Sequence, residues 1–461
     1  MIALSLILAG PLALVGQARP HAGEQAAAYF RQGIEHAQKG RHAQARGFFL
    51  KVLALEPNSI PALNNLGVNA LHRGAEAEAE RYFRRVLALA LDDPDSRYNL
   101  GLLALKRKQF AEAAAHLRIA AARQGEDLGL LLGLLAAEME LGKPGLVEET
   151  VARILKAAPR ELRLYFELAE PLANKGFYAP ALEVLERARK LAEATKQKGE
   201  QARLWNMLGD LYEKLDRYEK AVEAYQAALH LEPEHEDYLF DLGYEFLIHR
   251  NPELAERIFT AAIKRLPRGP KLRLGLAAAY FSRAQYEQAL ETLRATIQAF
   301  PQSEAGYFFL GRAFDLLSDY AYLFEQDWVR QAFAKYRQLK SADPFPYYLS
   351  ARLEGNRAEA VQLLDKALVL DPKFAKAYFE LGKIRLEENR VEEAIRAWEQ
   401  AVELRPFFPE AHYRLTRAYL KAGQQQKAQE AAGLFSKQQK ELEAATAERE
   451  KEILRFIYTV K

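Results

Sequence analysis

Nine histidines, at positions 21, 36, 42, 72, 116, 230, 235, 249 and 412, are the side chains of this 461-residue sequence best suited to metal ligation or proton transfer. Only His230-Leu-Glu-Pro-Glu-His235 stands near a ligand spacing. A helical metal site needs both rings on one face, as in His-Glu-x-x-His. Here Pro233 interrupts the helix between the two rings, so both read as solvated side chains. The Asp and Glu residues fall at helix-surface spacings, where they solvate more often than they catalyse. There is no Gly-x-Ser-x-Gly elbow, no phosphate-binding loop and no Gly-x-Gly-x-x-Gly after a strand. The absence of cysteine removes disulfides, thiolate zinc sites, cysteine nucleophiles and a lipidated N-terminal Cys. Catalysis is therefore not expected, and no metal or cofactor is expected either.

The remaining composition says what such a chain can do instead. At 49% hydrophobic and 28% charged residues it can bury an extensive core. Lys and Arg exceed Asp and Glu by only three, so nucleic acid is not an expected partner. Residues 2–15, IALSLILAGPLALV, are apolar and precede Gly16-Gln17-Ala18, a small-x-small pattern suited to signal peptidase. The run falls short of the ~20 residues that cross a bilayer. A signal peptide over 1–18 is expected, with a periplasmic or secreted mature chain and no integral span. Because no Lys or Arg precedes Arg19, a cytoplasmic protein with an apolar first segment is the alternative.

Self-comparison supplies the architecture. Residues 202–235 recur with a spacing of 34, in units starting at 26, 60, 94, 128, 162, 202, 236, 270, 304, 375 and 409, with an irregular unit between 304 and 374. Each of these twelve repeats accommodates helix A near its positions 1–14 and helix B near 17–30. Position 8 is Gly or Ala in nine repeats, including Gly33, Gly67, Gly101, Gly209, Gly243, Gly311 and Gly382; position 20 is Ala in all but the fourth, which has Val147. Small residues there let the two helices approach closely. Position 15 carries Gly40, Gly74, Gly142, Gly176, Gly355 and Gly423, suited to a left-handed C-cap. Position 32 is proline in eight repeats, such as Pro57, Pro233 and Pro406, where it stops helix B.

This pattern resembles the tetratricopeptide repeat (TPR) family, with Trp205, Leu208, Gly209, Tyr212, Ala221, Tyr225, Ala228 and Pro233 filling one unit's signature; the resemblance covers residues 26 to about 442. The resemblance implies an all-α fold: an α-solenoid, a right-handed superhelix of tandem helix-turn-helix units whose concave face binds a protein or peptide. It also implies a scaffold or adaptor role, which among exported members serves envelope assembly or export. The expected organisation is a linker over 19–25, repeats one to five over 26–201, repeats six to twelve over 202–442, and a capping helix over 443–461. A polar stretch near residue 197 is expected to lengthen helix B of repeat five and act as a hinge. The fourth repeat, with Leu135 and Val147 in place of small residues, is expected to pack differently, and the tenth to have a helix A shortened by about six residues from Pro346.

Helical geometry, about 100° per residue, places positions 5, 9 and 12 of helix A on one face. In the family this face lines the groove. Repeats one to four place Phe30, Ile34, Tyr98, Leu102 and Leu105 there; repeat seven adds Phe240 and Tyr244. These predict either an apolar groove or side chains buried between neighbouring A helices. Repeats nine, eleven and twelve mix aromatic and cationic groups: Phe308, Arg312, Phe379, Lys383, Tyr413 and Arg417. Asn65 and Asn99, at position 6, are similar to the asparagine ladder of peptide-cradling family members. Position 5 is never Lys and position 9 never Asn, so the carboxylate clamp of chaperone adaptors is not expected. An insertion over 315–331 adds Tyr320, Tyr322, Phe324 and Trp328, which either form a contact loop or fill a kink. The alternatives to an adaptor are a homo-oligomer joined through the apolar N-terminal groove and a regulatory subunit of a separate enzyme.

Overall fold

The computed structural model describes residues 23–125, 127–157, 161–193, 197–317 and 322–444. The apolar leader, Tyr320 and the tail beyond Ala444 lie outside them. Among the described residues the chain is built of 24 α-helices in tandem and contains no strand. They fall two to a repeat, as in Ile60–His72 with Glu76–Leu89. No helix among them is long and apolar enough to cross a membrane. The chain divides into two compact units, Met1–Ala224 and Tyr225–Lys461.

Within a repeat the small residue at position 8 has a specific partner. Gly33 faces the Phe49 ring so closely that a Cβ would lie 2.6 Å from it. Gly67, Gly243 and Gly382 face Phe83, Phe259 and Trp398 in the same way. The large side chain at position 24 of helix B thus fills the space that the glycine of helix A leaves. Phe49, Phe83, Phe259 and Trp398 are all fully buried, and Ala45, Ala79, Ala255 and Ala394 at position 20 of the same repeats are buried with them. Each ring removes roughly 150–250 Å² of surface from water, which makes these pairs a main fastening of the four repeats that carry them. The fourth repeat lacks the small residues and packs differently: Leu135 and Val147 are buried in their place, and Gly133 faces the preceding repeat, where a Cβ would meet Leu117 of helix B at 3.4 Å.

The turns between helices share one backbone solution. Gly40, Gly74, Gly142, Gly176 and Gly423 have φ between +63° and +82°. Lys108, Asp216, Arg250, Ala284 and Asn389 occupy the same position 15 of other repeats with φ between +54° and +62°. Nine of these turns close with an i to i−5 bond, for example Ala75 N–H to Ala70 C=O at 2.9 Å, so the helical C-cap geometry persists where glycine is absent. Gly355 departs from the expectation and has no positive φ. Helix A of repeat ten, Pro344–Leu353, is 10 residues long against the usual 13, a shortening of three and not six. It begins before Pro346, because Asp343 caps it by accepting from Phe345 N–H at 2.9 Å. The chain then leaves Leu353 extended and Asn356 caps the next helix, removing the need for a left-handed residue.

The insertion between repeats five and six is also absorbed differently from the expectation. Helix B of repeat five, Tyr178–Ala192, has 15 residues; it is helix A of repeat six, Lys198–Lys214, that lengthens to 17. This helix is tied back across the insertion. Tyr212 donates to Glu186 at 2.6 Å, Gln201 donates to the Ala192 carbonyl at 2.8 Å, and Arg203 pairs with Glu170. Burial and the Glu186 carboxylate push the Tyr212 phenol up to about 12.

Candidate partner-binding face

Positions 5, 9 and 12 of the A helices divide by burial, not only by residue type. In repeats seven and eight all six side chains are buried: Phe240, Tyr244, Leu247, Leu274, Ala278 and Phe281. In repeat three Leu102 and Leu105 are buried because the next A helix lies on them: a Cβ added to Gly133 of repeat four would come 3.7 Å from Leu102 and 3.8 Å from Leu105. Phe30 is buried against Phe49, with ring centroids 5.7 Å apart, while Ile34 and Tyr98 are half-buried. Much of the apolar stripe therefore packs helix on helix.

Repeats nine, eleven and twelve differ. None of the nine corresponding side chains is buried: Phe308, Arg312, Asp315, Phe379, Lys383 and Leu386 are half-buried, and Tyr413, Arg417 and Leu420 are exposed. Cations stand over the rings one helical turn away, with Lys383 5.9 Å from the Phe379 centroid and Arg417 5.8 Å from that of Tyr413. The rings also meet neighbours, Phe308 with Phe345 at 5.6 Å and Phe379 with Phe408 at 4.8 Å.

A charged cluster sits among these helices. Asp315, at the end of helix A of repeat nine (Glu304–Leu316), accepts from Tyr348 at 2.7 Å, pairs with Arg352 at 3.0 Å and contacts Lys376. Tyr348 and Arg352 come from helix A of repeat ten, and Lys376 from helix A of repeat eleven, Ala375–Glu387. Glu380, on that same helix, pairs with Lys383 at 2.7 Å and lies 3.8 Å from Arg352. Burial alone would push the Asp315 carboxyl up, but Lys376, the Tyr348 hydroxyl and Arg352 together hold it below the ordinary aspartate value. Tyr348 is driven well above the usual phenol value by burial and the adjacent carboxylates, so it remains a donor. The cluster ties three consecutive A helices together and sets the cations' positions on their shared face. It was hidden by the irregular spacing of repeat ten. With that repeat placed in register from residue 341, Phe345 falls at position 5 and Arg352 at position 12.

Family models described as tetratricopeptide repeat match residues 62–127, 202–235, 246–307 and 349–402, and one described as TPR repeat matches 382–423, together about half of the chain. The chain belongs to the tetratricopeptide repeat family. No curated protein matches its sequence. Among solved structures, yeast Tom70 is 16% identical, with 87% of this chain and 96% of that one covered at a TM-score of 0.34. A structure of Naa15/Naa10 bound to HypK-THB is 16% identical, covering 89% and 68% at 0.36. PilF of Pseudomonas aeruginosa is 22% identical, covering 47% and 95% at 0.32.

Other candidate positions of this TPR chain lie as follows. Asn65 and Asn99 are buried, and each donates to the carbonyl four residues back on its own helix, Pro61 and Asp95, at 2.8 Å. In the insertion, Phe324 turns inward and meets Phe314 edge-on at 5.1 Å, and Trp328 lies half-buried beneath Arg294 at 5.4 Å. Only Tyr322 of the described insertion aromatics is largely exposed, at 77%. His230 lies in the last turn of one helix and His235 stacks on Tyr238 at 3.8 Å, on opposite sides of the junction at Pro233. No group of three or more potential metal ligands is found among the described residues.

Proposed function

We propose that this chain is a non-catalytic adaptor that holds a protein or peptide partner along the A helices of repeats nine to twelve. The observation that supports the reading is the change in burial. Six of six face positions are buried in repeats seven and eight, whereas of the nine in repeats nine, eleven and twelve only Asp315 is largely closed, by its ion pairs; in repeat ten Leu349 is buried and Phe345 half-buried. Half-exposed aromatic rings beside cations are the residues that dominate peptide interfaces, because they bury large areas and offer directed polar contacts. The charged cluster holds the three A helices in fixed relation, which lowers the ordering cost of binding.

We place the adaptor in the cell envelope, as a periplasmic or secreted protein. That placement rests on the apolar run at 2–15 and the small-x-small site at Gly16-Gln17-Ala18. N-terminal sequencing of the protein recovered from its native cell tests it. A chain beginning near Arg19 supports export; intact Met1 in the cytoplasm contradicts it. Self-association through the N-terminal stripe is less favoured, since it would require Phe30, Leu102 and Leu105, which the chain already buries.

The function is tested by partner retention. Replacing Phe379 and Tyr413 together by Ala should release a partner captured by the wild-type protein while leaving far-UV circular dichroism unchanged. Retention equal to wild type would remove these repeats from the binding face.

A further inference from the structure

Resting on that reading, we infer that the partner segment held by repeats nine to twelve is acidic, with an apolar side chain interspersed among its carboxylates. The four A helices carry eight Lys or Arg against five Asp or Glu, an excess of three concentrated on 49 residues of helix although the whole chain carries the same excess over 461. More telling is which charges are already used. The two carboxylates nearest the middle of the face, Asp315 and Glu380, are closed in ion pairs with Arg352, Lys376 and Lys383. Arg312 makes no hydrogen bond or ion pair with a described residue, and Arg417 reaches only the Tyr413 hydroxyl, at 3.4 Å. The face therefore offers unsatisfied guanidinium groups and no unsatisfied carboxylate at positions 5, 9 and 12. Each of these two arginines lies one helical turn after an incompletely buried ring, Phe308 and Tyr413, so a carboxylate bound by the fork leaves the adjoining residue of the partner over the ring.

This arrangement differs from recognition of a chain-terminal carboxylate, since the two arginines sit on the first and last of the four helices with the closed ion-pair cluster between them. It suits an extended acidic stretch, not a terminus. A basic segment would meet like charges at both ends and is rejected by the same geometry.

The test uses the full-length protein and fluorescence anisotropy with two labelled probes, a short peptide of Glu and Leu residues and its Lys-for-Glu counterpart. The acidic probe should bind, the basic probe should not, and added salt should weaken the binding. Arg312→Ala with Arg417→Ala should reduce acidic-probe affinity about tenfold or more, consistent with loss of two charge-assisted contacts. Arg417→Glu should reduce it further. Both positions are incompletely buried and neither forms an ion pair with a described residue, so folding is expected to be retained, with circular dichroism as the check. Equal binding of the two probes, no binding of the acidic probe, or unchanged affinity in the arginine variants overturns the inference. If the acidic probe fails while Phe379→Ala with Tyr413→Ala still releases the native partner, only the acidic class is wrong. If that double variant retains the partner, the binding face itself is wrong.

Discussion

Asp315 and Arg352 lie 3.0 Å apart although 37 residues of irregular repeat separate them, and both are largely closed to solvent. The pair joins helix A of repeat nine to helix A of repeat ten at the point where the 34-residue spacing is lost. Regular repeats also pair charges between consecutive A helices, as Lys271 does with Asp237, but those partners are more exposed. Here a largely closed ion pair with a tyrosine donor sets one helix against the next where the period is lost.

Removing the carboxylate should therefore cost more than a surface ion pair does. Asp315→Asn leaves Arg352 and Lys376 in a partly closed site without their anion, and a loss of about 1–3 kcal/mol is expected. Chemical denaturation of wild type and variant measures it. Because the folded carboxyl titrates below its ordinary value of 3.8, its contribution is fully present above that pH and disappears as pH falls through the lower folded value. The difference between wild type and Asp315→Asn should accordingly narrow on acidification below the ordinary aspartate range. A difference that grows there would contradict the assignment.

Gly67→Ala should destabilise the second repeat by about 1–3 kcal/mol, because the new methyl enters the space filled by the Phe83 ring. A companion Phe83→Leu should recover part of the loss. Gly47, in helix B of repeat one, has nothing within 4 Å of where a Cβ would go. Gly47→Ala should be neutral or stabilising by up to about 1 kcal/mol through helix propensity. Thermal unfolding of the three variants separates close packing from backbone effects.

Ala284 is held at φ +54°, where its Cβ crowds the backbone. Ala284→Gly should stabilise the protein by roughly 0.5–1 kcal/mol, and the reverse change at Gly74, with φ +75°, should destabilise it by a similar amount. Opposite shifts in melting temperature at these two equivalent turns are the expected outcome.

Leu102 shows where residue pattern and tertiary packing part. Its position on helix A is that of a groove residue, and its apolar character alone permits either a ligand contact or burial. The helices themselves were legible because the 34-residue period repeats small residues where Phe49 or Trp398 must fit, a local constraint written into nine of the twelve repeats. Exposure of positions 5, 9 and 12 has no such local signature, since it depends on how closely the next A helix approaches. Gly133 shows this, being small enough to bring repeat four against Leu102 and Leu105. The Asp315 cluster was missed for a related reason: its members come from three repeats, one of them out of period. Leu102→Ala is thus expected to cost about 2–4 kcal/mol in stability and to leave partner binding by the folded protein unchanged. Loss of binding without loss of stability would return Leu102 to the groove.

Site-specific photo-crosslinking in the native cell tests the central claim most directly. A photoreactive phenylalanine analogue would replace Lys383 on the A-helix face of repeat eleven in one variant, and Glu392 on helix B in another. A partner adduct from position 383 and none from position 392 is the predicted result. An adduct from position 392 with none from 383 would place the partner on the opposite helix layer and contradict the account.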